Sequence, residues 1–248
     1  MKAEIATRLI DLNLQFYQTF AVQFSATRGR IQPGVRRVLG MLPLDAQVLD
    51  IGCGNGELAR ELARRGHTGA YLGLDFSEGL LSFARQGSPV NFTFLQADLS
   101  SPTWDSLLRG LSFSFGLAFA VLHHLPGRAL RGSLLASLRA CLPRGGRLIH
   151  SEWQFLNSPR LQARLQPWES IGLAADQVDE GDYLLDWRGG GSGLRYVHHF
   201  SEVELASLAQ ESGFRVLETF YSDGEGGKLG LYQIWENVDK FHKSFTQK

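Results

Sequence analysis

Val48-Leu49-Asp50-Ile51-Gly52-Cys53-Gly54-Asn55-Gly56 decides the fold class of this chain. Val48–Ile51 is short and mostly aliphatic, which reads as a buried strand ending in a glycine-rich turn. Glu57–Arg65 follows as a helix, closed by Gly66. A strand, a glycine turn and a helix in direct succession put the free N–H groups of the helix start beside the turn. Glycine there lets the backbone take positive φ and come close to a ligand. The spacing is G-x-G-x-G, unlike the G-x-G-x-x-G of dinucleotide-binding turns.

The same rhythm continues downstream. Tyr71–Asp75, Phe92–Ala97, a segment within Phe113–Leu122, and Arg147–Trp153 read as strands. Glu78–Arg85 and Leu130–Cys141 read as intervening helices, and Pro143-Arg144-Gly145-Gly146 as a turn. Short strands alternating with helices of about ten residues predict a parallel, doubly wound α/β sheet. Ligands bind at the carboxyl ends of such strands. Asp50, Asp75 and Asp98 occupy three consecutive strand ends. Each alone has an alternative reading as a turn cap. Together with the glycine turn they predict a binding site.

The flanks are less regular. Residues 5–24 read as a helix with Ile5, Leu9, Leu12, Phe16, Phe20 and Phe24 on one face. A polar loop, Ser25 to Arg30, and a short helix over 33–41 complete an N-terminal segment, 1–44. The core runs over 45–155. Residues 156–196 break its rhythm with Pro159, Pro167 and Gly189-Gly190-Gly191, and carry Trp168, Tyr183 and Trp187. This is the pattern of a long irregular insertion, expected as a lid on the substrate side. Ser201–Ser212 reads as a helix with a Ser201/Glu204 capping box. Arg215–Tyr221 and Gly230–Trp235 read as final strands within 197–236, and 237–248 as a polar tail. The whole of 1–248 is expected to form a single domain.

Composition bounds the function. The 248 residues include 25 basic and 25 acidic side chains, so the chain as a whole is no polyanion binder. Its basic residues are 20 Arg and 5 Lys, a skew toward the planar fork that grips carboxylate and phosphate, though base composition of the genome explains it equally. Cys53 and Cys141 suggest neither a disulfide framework nor metal-ligand spacing, so no metal is expected and a reducing cytoplasm fits. No signal peptide and no membrane span are expected.

The motifs resemble those of the class I S-adenosylmethionine-dependent methyltransferases from about residue 45 to 155. VLDIGCGNG resembles their first motif, YLGLDFS the second, FLQADL the third, and AVLHHLP followed by CLPRGGRLI the fourth and the turn before strand five. Ser114 stands where the family usually has an acid early in strand four. The resemblance implies a Rossmann-like, doubly wound, mostly parallel seven-stranded sheet, helices on both faces, and an insertion after strand five. It implies S-adenosyl-L-methionine as cofactor and S-adenosyl-L-homocysteine as product. Asp50, Gly52, Cys53, Gly54, Asn55 and Gly56 are expected at its methionine end, Asp75 and Phe76 at the ribose, and Asp98, Leu99 and Ala120 around the adenine side. The alternative, a degenerate non-catalytic binder, fits poorly with so complete a set.

The acceptor is read from the flanks, because acceptor chemistry lives on grafted loops. No Asn-Pro-Pro-Tyr-type segment follows strand four, which argues against amino methylation of adenine or glutamine. Val121-Leu122-His123-His124-Leu125 stands there, with His123 or His124 as substrate contact or base, or as pocket lining. Phe24-Ser25-Ala26-Thr27-Arg28 and Leu194-Arg195-Tyr196-Val197-His198-His199-Phe200 are similar to elements of the eukaryotic tRNA wobble-uridine carboxymethyl methyltransferases. That resemblance implies Arg28, Arg195, Tyr196 and His198 at the acceptor site. It also implies tRNA as a partner and a small zinc-binding activator subunit. A carboxylate is ionised at neutral pH and needs no strong base, only orientation by a group such as an Arg fork. Arg28, Arg30, Arg36 and Arg37, and Arg160, Arg164 and Arg188, are candidate phosphate contacts, and the insertion's aromatics a stacking surface. A small-molecule carboxyl or hydroxyl acceptor is the alternative.

Overall fold

A computed structural model describes residues 1–26, 30–189 and 191–238. Its central sheet has seven strands. In chain order these are β1 (Val48–Ile51), β2 (Tyr71–Asp75), β3 (Phe92–Gln96), β4 (Phe115–Phe119) and β5 (Arg147–Trp153), followed late in the chain by β9 (Phe214–Ser222) and β10 (Gly230–Asn237). They lie in the order β3-β2-β1-β4-β5-β10-β9. The first five are parallel, and β10 runs antiparallel to both β5 and β9. Strand order reverses between β1 and β4, which opens a crevice at their carboxyl ends.

Helices cover both faces, so the inner strands β1, β2, β4, β5 and β10 are buried on both. Leu49 and Ile51 of β1 face α5 (Arg128–Cys141) and α7 (Glu202–Glu211), packing with Leu134, Leu138, Leu205 and Leu208. Val48 faces the opposite layer of α2 (Pro33–Leu39), α3 (Glu57–Arg64) and α4 (Glu78–Arg85), with Val38, Leu62 and Leu81. Ser77 caps α4, accepting from Leu80 N at 3.3 Å. Ser201 caps α7, accepting from Glu204 N at 3.1 Å. The expected return bond from Glu204 is replaced: its carboxylate turns to His198 and Arg131.

The insertion is a correction to the sequence reading. It is not irregular: it forms a short helix, α6 (Pro159–Gln162), and an antiparallel sheet of β6 (Leu165–Gln166), β7 (Asp182–Trp187) and β8 (Gly193–His198). The long N-terminal helix α1 (Ala3–Ala26), kinked at Phe20, crosses β8. Leu9 of α1 packs with Trp168, Leu184 and Tyr196 of the insertion. On its other face the small sheet buries Leu185 and Val197 with Phe155. No helix among the described residues is long and apolar enough to cross a membrane.

Candidate active site

A cavity of about 260 Å³ opens at the carboxyl ends of β1, β2 and β4. Its wall brings together Asp50, Gly52, Cys53, Gly54, Asn55, Asp75, Phe76, Asp98, Leu99 and Ala120. The glycine turn has its shape for steric reasons. Gly52 has φ +71°, and a Cβ there would lie 2.7 Å from Val121 Cγ2. Gly54 has φ +55° and open space where a Cβ would be, so bare backbone faces the cavity. Gly56 does not line the wall. It starts α3 in a left-handed conformation and packs against Ala84, which makes its role structural.

The acids differ in state. Asp75 braces the turn: its carboxylate accepts from Gly54 N and Ser77 N, each at 2.9 Å. Burial raises its pKa, and those N–H groups oppose the rise. Asp50 is buried and accepts from the Tyr71 hydroxyl at 2.5 Å. Burial lifts its pKa to about 7, against the Tyr71 hydrogen bond and with help from Asp75. Asp98 is exposed and accepts from Ser100 N at 2.9 Å, the turn-capping alternative, while also lining the cavity. The Cys53 thiol is pushed up by burial and by Asp50 and Asp75, so it is no nucleophile here. Ala120 holds φ +59°, rare for a residue with a side chain, and its N–H donates to Ser151 O at 2.9 Å. Val121, His124 and Leu125, just beyond this bend, line the cavity as well.

Asn13, Tyr17 and His124 also line the wall, with Ile10 and Leu14. Ile10, Asn13, Leu14 and Tyr17 share one face of α1 by their spacing. A polar Asn inside that face was the available signal for a site. Tyr17 Oη lies 2.7 Å from His124 Nε2, and His124 Nδ1 lies 3.3 Å from Tyr196 O. A proton on Nδ1 toward that carbonyl makes Nε2 the acceptor of the Tyr17 hydroxyl. Asn13 donates to Tyr196 O at 3.1 Å and accepts from Tyr196 N at 2.8 Å.

The acceptor-side residues fall elsewhere. His123 is a correction: it points into the core, 1% exposed, with Nδ1 2.8 Å from Glu152, while His124 faces the cavity. Glu152 is also held by His150 at 2.9 Å. Burial would raise the Glu152 pKa, but the two imidazoles outweigh it and hold it low. His198 is a second correction. It is buried between Asp182 at 2.7 Å and Glu204 at 2.9 Å, in a network where Arg131 and Tyr196 also meet. That network ties β7 and β8 to α5 and α7 and has no opening to the cavity. Arg28 lies outside the described residues. Arg37 pairs with Glu218, and Arg188 with Asp186 at 2.6 Å, so neither is an unpaired phosphate contact. No group of three or more His, Cys, Asp or Glu that could hold a metal occurs among the described residues.

Arg195 is 7% exposed, a buried guanidinium and neither a surface residue nor part of the cavity wall. Its guanidinium carbon lies 4.6 Å from the Trp153 ring centroid, 5.5 Å from Phe16 and 5.8 Å from Trp187. Its Nε is buried without a hydrogen-bond partner, and no described carboxylate pairs with it. Phe16 in turn packs edge-on against Tyr17 of the cavity wall, ring centroids 5.0 Å apart.

A family profile described as a methyltransferase domain matches residues 24–219. A tRNA (carboxymethyluridine(34)-5-O)-methyltransferase of Schizosaccharomyces pombe is 29% identical over 84% of this chain and 90% of its own length. A 2-phytyl-1,4-naphtoquinone methyltransferase of Thermosynechococcus vestitus is 41% identical over 70% of this chain and 74% of its own. Among solved structures, the methyltransferase of a Haloferax volcanii complex with the Trm112 methyltransferase activator superposes with a TM-score of 0.65. It is 14% identical, over 94% of this chain and 99% of that one, a likeness of fold.

Proposed function

This chain belongs to the methyltransferase-domain family, with S-adenosyl-L-methionine as its methyl donor, and from that premise we propose that it methylates the oxygen of a carboxylate on a modified tRNA uridine. The cavity fits the donor. Gly52 and Gly54 present backbone for close approach, Asp75 stands at the second strand end, and Phe76 and Leu99 offer apolar surface beside Asp98. The chemistry supplied there is a methyl group on a sulfonium, and its transfer to a carboxylate leaves S-adenosyl-L-homocysteine and a neutral ester.

Arg195 carries the acceptor reading. An arginine stays protonated at any working pH, and burying that charge without an anion is unfavourable. Three rings hold the guanidinium in place without neutralising it. An incoming carboxylate supplies the missing partner, in bidentate geometry that no ammonium matches. The protein's task is then to orient the acceptor and strip its water, since the nucleophile is already ionised. Tyr17 and His124, hydrogen-bonded to one another at the cavity wall, line the approach and need not remove a proton.

The tRNA part of the reading rests on the fission-yeast relative's acceptor and on Trp153 and Trp187, half-buried rings against which a base can stack. An activator subunit enters by analogy with the archaeal complex. Free, buried Cys53 and Cys141 fit a cytoplasmic protein. The neutral net charge and the pairing of Arg37 and Arg188 favour a second reading, a small-molecule carboxylate or hydroxyl as acceptor. The test uses methyl-labelled donor with total tRNA and with a small-molecule extract, followed by mild alkali. Label that enters tRNA and is released as methanol supports the proposal. Label confined to small molecules refutes the tRNA reading, and alkali-stable label refutes the carboxylate.

A further inference from the structure

Asp50 and Tyr71 form a buried pair at the back of the cavity. Their geometry follows from register: β1 and β2 pair with Val48 opposite Tyr71, so the tyrosine hydroxyl reaches the acid two residues along β1 on the same face. The ring is immobilised, 1% exposed and stacked on Phe92 with centroids 4.9 Å apart and planes 28° from parallel. Asp50 Oδ2 receives the hydroxyl. Its other oxygen has no hydrogen-bond partner among the described residues. Asp50 itself lines the cavity, and Tyr71 does not.

We propose that Tyr71 is a positioning residue for the donor's amino group: its hydroxyl fixes Asp50 as a carboxylate with the free oxygen turned to the cavity, so that the site selects a ligand bearing an ammonium. The surroundings need this help. The titratable neighbours of Asp50 are Asp75 and Cys53, and neither stabilises its charge. Arg30, Glu57, Asp98 and His124 line the same cavity. Burial and Asp75 push Asp50 toward its neutral form, and the Tyr71 hydroxyl opposes both. Removing the hydroxyl therefore shifts Asp50 further toward the neutral acid, which offers an ammonium much less. Above the pKa of Asp50 the ammonium is bound, and the contact is lost as pH falls through it. The inference concerns the donor alone, so its outcome does not depend on which acceptor is methylated.

The test is calorimetric binding of S-adenosyl-L-homocysteine between pH 5.5 and 8, with the full chain and with Tyr71→Phe. Its comparison ligand is 5′-methylthioadenosine, the same thioether nucleoside without the amino acid. The expected result for the unaltered chain is affinity that falls below about pH 7. Tyr71→Phe moves that midpoint up by about one pH unit, the scale of one hydrogen bond to a charged group, and so weakens binding at pH 7 about fivefold. Binding of 5′-methylthioadenosine is unchanged in both. Asp50→Asn, which keeps an acceptor for Tyr71 but cannot titrate, gives weak binding that is flat with pH. The same midpoint in the unaltered chain and Tyr71→Phe overturns the proposal. Equal weakening of both ligands also overturns it, because that is loss of packing.

Discussion

Replacing Arg195 with Met separates its two roles, because the structural and functional consequences run in different directions. The side chain gives up cation–π contact with Trp153, Phe16 and Trp187, worth about 0.5–2 kcal/mol in total for a largely desolvated site. It also removes a buried Nε that lacks a partner, relieving about 1–3 kcal/mol. The two offset, so stability changes by no more than about 2 kcal/mol and Tm by no more than about 8 °C for a chain of this size. Catalysis has no such compensation. On the proposed reading, loss of the charge that pairs with the acceptor carboxylate removes about 1.5–3 kcal/mol, or roughly 10- to 150-fold in kcat/KM. Arg195→Lys keeps the charge but not the fork and falls between. The assay pairs thermal melting with initial rates of alkali-labile label incorporation. A melting temperature lower by more than about 10 °C with unchanged acceptor kinetics would refute the reasoning and make Arg195 a packing residue.

Gly52→Ala forces a side chain into positive φ and against Val121, so S-adenosyl-L-homocysteine affinity is expected to drop more than tenfold by calorimetry. His123→Ala leaves Glu152 with one imidazole and is expected to lower stability by about 3–5 kcal/mol in denaturant unfolding, whereas His124→Ala changes ligand binding more than stability. Burial lowers the His198 pKa, but the hydrogen bonds it donates to Asp182 and Glu204 outweigh it and leave the pKa above the usual 6.5. Stabilisation by His198 is thus complete below pH 6.5 and fades as pH rises through the folded-state value, so the Tm advantage over His198→Gln should shrink from pH 6 to pH 8.

The core was legible because its strands are short, aliphatic and punctuated by glycine. Tyr71–Asp75, Glu78–Arg85 and Arg147–Trp153 carry the boundaries that periodicity alone suggests. The insertion was not legible for the opposite reason. β6 spans two residues, and β7 and β8 bury Asp182, Arg195 and His198, which look like loop residues until their partners are known. Asp182 meets Arg131 of α5 and His198 of the neighbouring strand, both distant in sequence, while Arg195 has only ring partners among the described residues. The His123-His124 pair shows a second limit. In a three-residue 3₁₀ turn neighbouring side chains diverge, and neither helical nor strand periodicity tells which one faces the ligand. Asn13 and Tyr17 were hidden differently, as polar residues inside an apolar helical face whose packing partner lay far along the chain.

The bond pair between Asn13 and Tyr196 has a consequence for how the small sheet ends. β8 is an outer strand of the small sheet, and an outer strand is a template for pairing with other chains. At Tyr196 both main-chain groups on that rim are already claimed, one by the carbonyl and one by the amide nitrogen of a single asparagine side chain. A side-chain amide here imitates the next strand and ends the ladder. Asn13→Leu would keep α1 apolar yet orphan two buried main-chain groups of β8, and denaturant unfolding would register the loss, about 1–3 kcal/mol for each group.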